Sequence, residues 1–355
     1  MNALPSSAEL APPSHQVVTA NPVVAIVGAT GAVGVEMLRS LEERDFPLSS
    51  LKLLASPRSA GRTMRFRGQD LAIEALDEGS FEGVDLALFS AGSGVSKRHA
   101  AAAVKAGAVV VDNSSAFRMD PDVPLVVPEV NGAEIARHRG IIANPNCVAI
   151  IATVPLWPLQ QAIGIRRVTA ATYQAASGAG AAAMEELRAS TEAYLKGEAF
   201  TPQVLPHPYA FNLFSHNAEI DPETGYNGEE LKVIAETRRI MGAPALPLGI
   251  TCIRVPVLRA HAIALNVEFN RPVSPEEVKA LLAEAPGVRI VDDRVANHFP
   301  MPSEASGQGD VLAGRFRADL GDPSGHSVAF FVAGDQLLKG AALNAVQIAE
   351  QLLAR

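Results

Sequence analysis

The feature that most narrows the fold is an apolar run, Val23-Val24-Ala25-Ile26-Val27, leading straight into Gly28-Ala29-Thr30-Gly31-Ala32-Val33-Gly34. A continuous apolar run of this length reads as a strand buried on both faces. Small residues after it let backbone N–H groups come close to a pyrophosphate at the start of the next helix. The spacing is G-x-x-G-x-x-G rather than G-x-G-x-x-G, a variant of the dinucleotide loop, and the alternative is an ordinary glycine-rich turn. The flanks favour the loop, because an amphipathic helix is predicted over 35–44.

The alternation of strand and helix continues along the chain. Strands are predicted at 51–55, 86–90 and 109–112, with a helix at 95–106 between the last two. Strands alternating with helices imply a parallel sheet with right-handed crossovers. After Pro145 the pattern changes. Helices are predicted over 147–161, 181–196, 229–241, 275–285 and 341–353, and strands over 168–173, 250–257, 262–269, 288–292, 311–317 and 328–333. Long strands close in sequence imply a mixed sheet. The predicted fold class is therefore α/β: a Rossmann-like doubly wound parallel-sheet domain plus a second, α+β domain with a mixed sheet, to which the resemblance given below assigns catalysis and dimerisation. We assign 1–21 to a disordered extension, 22–146 with 334–355 to the nucleotide domain, and 147–333 to the second domain.

Composition enters as a set of exclusions. With 48% hydrophobic and 19% charged residues in 355, the chain is too apolar to be intrinsically disordered. A net charge of −8 speaks against a nucleic-acid surface. The longest uncharged stretch, 140–165, is interrupted by Pro145, Pro155 and Pro158, so no membrane span is predicted. The first twenty residues have no basic start and no long apolar core, unlike a secretory signal. Two cysteines, Cys147 and Cys252, exclude a disulfide scaffold and a four-cysteine zinc site. No metal is expected, and a reducing cytoplasm fits.

Several residues carry candidate chemistry. Asn144-Pro145-Asn146 makes a turn, and a helix starts at or near Cys147. A thiol there feels the positive end of the helix dipole, which favours the thiolate. Cys252 lies in an apolar strand and reads as core. Among eight histidines, His261 opens a strand, with Arg254 seven residues earlier. Two basic groups in apolar strands need an anionic or polar partner, either a substrate or an internal ion pair. His99 and His138 are predicted on surfaces, and His207, His216, His298 and His326 in solvated loops. Arg118 follows Asn113-Ser114-Ser115 at a strand's C-terminal end, where ligands sit in such sheets. Glu229 and Lys232 share a helix face, and spacing alone suits a surface salt bridge. Arg58, with Ser56 and Ser59, ends the second strand where an acidic residue would favour NAD. A guanidinium there matches a 2′-phosphate, which predicts NADP, the alternative being a solvated turn with an incidental arginine.

The stretches GATGAVG, ASPRSAG, DNSSAFRMD, VVPEVN, ANPNC, YQAASGAGAAAMEEL, FNLFSHNAEIDPETGYNGEELKVIAETRRIMG, RVPVLRAHAIALNVEF and GDQLLKGAALNAVQIAE together resemble the aspartate-β-semialdehyde dehydrogenase family, over nearly all of 22–355. The resemblance implies that Cys147 is the acyl-thioester nucleophile, His261 the general acid/base and Gln174 the residue orienting the intermediate. It implies that Arg254 and Glu229 hold the substrate's carboxylate and amino group, and that Arg118 and Lys232 hold phosphate. It places NADP contacts at Gly28, Thr30, Gly31, Ala32, Val33, Gly34, Ser56, Arg58, Ser59, Ser177, Gly178 and Gln336. It further implies a homodimer through the second domain. The implied reaction is reversible reduction of L-4-aspartyl phosphate to L-aspartate 4-semialdehyde, toward lysine, methionine and threonine. One departure is Ala182-Ala183, where relatives often carry a basic residue. The alternatives are an N-acetyl-glutamyl-phosphate reductase, a non-catalytic paralogue and an NADP sensor. Glu229 favours a substrate with a free ammonium, and Cys147, Gln174, Arg254 and His261 together favour catalysis.

Overall fold

The computed structural model describes residues 18–353, which form two compact units. The first comprises 18–145 with 341–353, and the second 146–340. In the first unit β1 (Val23–Val27) runs into α1 (Ala32–Glu43), β2 (Ser50–Ala55), a β3 (Thr63–Phe66) and β4 (Gln69–Ala75) hairpin, β5 (Leu86–Phe89), α2 (Ser93–Lys105), β6 (Val109–Asp112), the short α3 (Pro128–Asn131) and β7 (Ile141–Ala143). Strand order is β3-β4-β2-β1-β5-β6-β7, all parallel except β3 on β4. The order reverses between β1 and β5, the switch point at which such sheets open a crevice.

The glycine loop lies at that point. Gly28 takes φ +87°, and a Cβ there would sit 3.0 Å from Ala91. A Cβ on Gly34 would lie 2.2 Å from the Gly28 carbonyl oxygen. The Gly28 and Ala29 amides donate to the Leu54 carbonyl at 2.8 and 3.1 Å, and the Ser90 hydroxyl donates to the Val27 carbonyl at 3.1 Å. The loop is thus pinned from both neighbouring strands. α1 starts earlier than predicted, at Ala32, with Gly31 as its N-cap and no acidic residue in its first turn.

In the second unit the chain forms α4 (Cys147–Ala162), β8 (Ile165–Gln174), α5 (Ala181–Lys196), β9 (Phe214–Ser215), α6 (Gly228–Ile240), β10 (Leu248–Arg254), β11 (His261–Phe269), α7 (Pro275–Ala283), β12 (Val288–Ile290), α8 (Pro302–Ala305), β13 (Val311–Ala318) and β14 (Ser327–Gly334). The sheet is mixed, in the order β12-β13-β14-β11-β8-β10-β9. β8 pairs with β10 in parallel and with β11 antiparallel. α4 continues through Pro155 and Pro158. Its residues Val148 to Leu156 are all buried, and that burial offsets the cost of the two interrupted turns.

The chain then passes through a π-type turn (Leu338–Ala342) into α9 (Leu343–Leu352). Ala345, Val346, Ile348, Ala349 and Leu352 of α9 share one apolar cluster with Ile26, Met37, Leu41 and Val111 of the first unit. The sequence pattern puts the crossing at 334, but residues 334–340 sit with the second unit. Asp335 accepts from Arg259 at 2.7 Å and Gln336 from the Ala260 amide at 2.9 Å, which holds them there. Asn146 also sits with the second unit, because its side chain caps α4. At the other end, order begins before Pro22. Val18 is buried, and its amide donates to the Leu352 carbonyl at 3.2 Å. The rest of the expected extension, residues 1–17, lies outside the described residues.

The two histidines expected on surfaces depart from expectation. His99 and His138 are buried rather than on the surface, and the Gly140 amide donates to His138 Nδ1 at 3.1 Å.

The closeness of Gly34 to Gly28 gives a stability test. Gly34→Ala must push backbone apart, since the obstructing atoms are main-chain. The overpacking costs about 1–3 kcal/mol, so thermal denaturation will show Tm lower by several degrees. An unchanged Tm would mean the loop relaxes freely.

Candidate active site

The strand order of the second unit explains why distant residues meet. Gln174 ends β8, Arg254 ends the parallel β10 opposite it, and His261 begins the antiparallel β11. Three chemistry-bearing side chains therefore emerge at one edge of three adjacent central strands. β9 adds a fourth. It pairs with β10 at Phe214↔Arg254, and the His216 amide then donates to the Cys252 carbonyl at 2.9 Å.

Cys147 is the first residue of α4 and is half-buried. Asn146 caps the helix, its Oδ1 accepting from the Val148 and Ala149 amides at 2.8 and 3.3 Å. The Asn146 amide donates to Glu236 at 2.5 Å, and Asn146 Nδ2 donates to Glu229 at 3.0 Å. Gln174 Nε2 donates to the same Glu229 oxygen at 3.2 Å, and its own Oε1 accepts from Thr172 at 3.1 Å. Glu229 is thus buried beside the start of the Cys147 helix, not in a surface salt bridge with Lys232. Burial raises its carboxyl, but the His216 ring, once protonated in acid, the two amides and the Lys232 charge outweigh burial and hold it below the ordinary carboxylate range. Lys232 itself is exposed.

His261 is fully buried, and its Nδ1 accepts from the Ala175 amide at 2.9 Å. An accepting Nδ1 puts the ring proton on Nε2. That Nε2 is buried with no hydrogen-bond partner among the described residues. Burial first, then Arg254 and His216, hold the ring well below its usual pKa, so it is neutral. Gly178 lets the backbone pass here, since a Cβ would lie 2.9 Å from His261 Nε2 and 3.3 Å from Arg254 Nη1. Arg254 is buried and donates to Ala175 O at 3.3 Å, Asn217 Oδ1 at 3.4 Å and His216 Nε2 at 2.8 Å.

Ser177 and Gln336 are buried together, Gln336 Nε2 donating to the Ser177 hydroxyl. In the first unit Arg118 is half-buried and donates to the carbonyls of Asn144 and Asn113 at 3.0 and 2.9 Å. The turn carrying it hangs on Asp112, which accepts from Ser96 at 2.6 Å and Ser114 at 2.7 Å. Arg58 and Ser56 are exposed just past β2, while Ser59 is buried. Thr30 and Gly31 are exposed on the loop, and Ala32 and Val33 half-buried.

Two site residues are not visible as such in the sequence. His216, expected in solvent, is the shortest contact of Arg254, and burial followed by Arg254 hold its ring down to about 4. Gly340 is the other. A Cβ there would come within 2.9 Å of Cys147 Cβ, so only glycine fits. A glycine inside a helical pattern is the one available signal. Cys252 is a buried thiol pushed up to about 12, first by burial.

Both units match one class of nucleotide-dependent enzyme. The family model "Semialdehyde dehydrogenase, NAD binding domain" matches residues 23–138, and "Semialdehyde dehydrogenase, dimerisation domain" matches 156–339. An aspartate-semialdehyde dehydrogenase of Synechocystis sp. is 54% identical, over 94% of this chain and 97% of the relative. A crystal structure of aspartate semialdehyde dehydrogenase II from Vibrio cholerae, complexed with ASA, superposes with a TM-score of 0.89 at 42% identity, covering 94% of this chain and 98% of that one. The Candida albicans enzyme with NADP superposes with a TM-score of 0.71 at 26% identity, covering 94% and 98%. The chain belongs to the aspartate-semialdehyde dehydrogenase family.

The neutral histidines make stability depend on pH. Unfolded, both rings titrate near 6.5; folded, His216 titrates at about 4 and His261 well below the usual value. Below about 6.5 the unfolded chain binds protons that the folded one does not. Tm is therefore expected to fall as pH drops from about 6.5 towards 4 and to be insensitive to these rings above it. His261→Asn, which keeps an acceptor for the Ala175 amide, should show a smaller drop between about pH 7 and pH 5. An equal drop would mean His261 is protonated in the folded state.

Proposed function

We propose that the protein is an aspartate-semialdehyde dehydrogenase that interconverts L-4-aspartyl phosphate and L-aspartate 4-semialdehyde with NADP. The observation that carries this is the shared carboxylate Glu229, which joins the cap of the Cys147 helix to Gln174. It ties a thiol at a helix start to the strand ends that carry Arg254 and His261.

The first unit's residues fit a dinucleotide. The loop at the switch point has close backbone packing at Gly34, an exposed helix start at Gly31 and no acidic residue in the first turn of α1. Gly28, Thr30, Gly31, Ala32, Val33 and Gly34 would hold the pyrophosphate. Arg58, with Ser56 and Ser59, would hold the 2′-phosphate that distinguishes NADP. Ser177, Gly178 and Gln336 would contact its nicotinamide end. When bound, the nicotinamide supplies the hydride acceptor or donor.

In the oxidative direction the Cys147 thiolate adds to the aldehyde carbon, giving a thiohemiacetal, and oxidation of that carbon leaves a thioester on Cys147. His261 holds a proton at Nε2 for the oxygen that gains charge in each tetrahedral adduct. Gln174 orients the acyl group. Arg254 takes the α-carboxylate, and Glu229, kept ionised, takes the α-ammonium. Arg118 and Lys232 bind phosphate, whose oxygen attacks the thioester and releases the acyl phosphate with the thiolate restored. Biosynthetic flow runs the reverse. An N-acetylated substrate has no ammonium for Glu229, which favours the aspartyl substrate over the N-acetylglutamyl one. A non-catalytic role would not need Cys147, Gln174, Arg254 and His261 together. We further propose a homodimer formed through the second unit, in a reducing cytoplasm where the free thiols of Cys147 and Cys252 persist.

The test is phosphate-dependent NADP reduction with aspartate semialdehyde, beside the N-acetylglutamate analogue. Activity is expected on the first alone, and Cys147→Ala should lower kcat about a thousandfold or more. Inactivity of the wild type on aspartate semialdehyde would refute the proposal. Separately, Arg118→Leu should raise KM for phosphate about tenfold or more, with KM for the semialdehyde within about threefold. Equal effects on both would remove Arg118 from the phosphate site.

A further inference from the structure

Arginines 254 and 259 stand five residues apart in opposite surroundings. Arg259 is paired with the buried carboxylate of Asp335 at 2.7 Å. Arg254 is buried, yet each partner it has is neutral: a backbone carbonyl, the Asn217 amide oxygen and His216 Nε2. No carboxylate pairs with it among the described residues. A buried cation without a counter-ion is costly, and that cost is relieved when an anion arrives.

The contact with His216 has a particular chemistry. A guanidinium only donates, so Nε2 at 2.8 Å must accept and the ring proton must sit on Nδ1. Nδ1, however, also faces the Ala218 amide donor at 3.2 Å. A neutral imidazole has one accepting nitrogen, so it cannot serve Arg254 and Ala218 together. The resting arrangement leaves one donor unmet, and transfer of Arg254 to a carboxylate frees the ring to accept from Ala218.

We propose that His216 is a positioning residue that holds the Arg254 guanidinium between turnovers through a neutral acceptor, one that the substrate's carboxylate displaces. This role rests on the reading of Arg254 as the carboxylate-binding group. The ring must be neutral to perform it. Arg254 and Lys232 both disfavour its protonation, burial does so more strongly, and Glu229 opposes them only in part. A fixed negative charge at this position would pair with Arg254 permanently and compete with substrate. A residue with no acceptor would leave a long side chain unplaced.

The test compares His216→Gln, His216→Glu and His216→Ala by steady-state kinetics, with KM for phosphate as the internal control. Gln and Glu have nearly the same shape and differ in charge. His216→Glu should raise KM for aspartate semialdehyde about tenfold or more, with kcat at saturation within about threefold. His216→Gln should bring that KM back to within about threefold of wild type, and His216→Ala should fall between them. If His216→Glu does not fold, Gln against Ala decides, with the same order expected. Equal KM for Gln and Glu, or for Gln and Ala, would overturn the role, as would a fall in kcat with KM unchanged. Wild-type enzyme without activity on the semialdehyde would instead overturn the reading of the whole site, and this role with it.

Discussion

The site depends on one asparagine. Asn146 spends its side-chain oxygen on the first free amides of α4, its backbone N–H on Glu236 and its side-chain N–H on Glu229. Four hydrogen bonds from one residue decide where the helix begins. Cys147 is therefore the first helical residue, where the dipole and the free amides act on its sulfur. The same bonds fix α6, because Glu229 and Glu236 lie about two turns apart on it. Replacing an N-cap asparagine with alanine typically costs about 1 kcal/mol, and here it would also strip a buried carboxylate of a donor. The position of the thiol and the charge state of Glu229 are thus set together.

Charge in the second unit is arranged by leaving some partners out. Asp335 is fully satisfied by Arg259, the Gly307 amide at 2.7 Å and the Leu337 amide at 2.9 Å, and anchors the chain before the π-type turn. Arg254 and the Nε2 atom of His261 are equally buried and lack such partners. One group is a cation and the other a neutral donor, and both lie at the same strand edge. A substrate with a carboxylate at one end and a reacting carbonyl at the other complements them. An acidic protein needs only a few such placed groups to bind an anion, and the net charge of −8 says little about the ligand.

Local order in the chain carries much of the fold. The apolar run before Gly28 and the three spaced glycines mark β1, the loop and α1, and the strand–helix alternation behind them implies the parallel sheet. The Asn144-Pro145-Asn146 turn before an apolar helix puts Cys147 at or near a helix start, and Cys147 stands out for that reason. The remainder depends on contacts between distant residues. Glu229 and Lys232 read as a surface pair because their spacing says nothing of Asn146, 83 positions away. His216 reads as solvated because β9 is only two residues long, too short to show a period, and it is the pairing of β9 with β10 that brings the ring to Arg254. The β3–β4 hairpin alternates weakly, with mostly exposed residues. Gly340 carries meaning only once its closeness to Cys147 is seen.

The most direct measurement is of the covalent intermediate. Enzyme mixed with NADP and aspartate semialdehyde, without phosphate, should be quenched in acid within the first turnover and mapped by peptide mass spectrometry. One aspartyl group is expected on the peptide containing Cys147, none on the peptide containing Cys252, and its loss on adding phosphate before the quench. NADPH formed in stoichiometric amount with Cys147 unmodified would contradict a thioester on this residue.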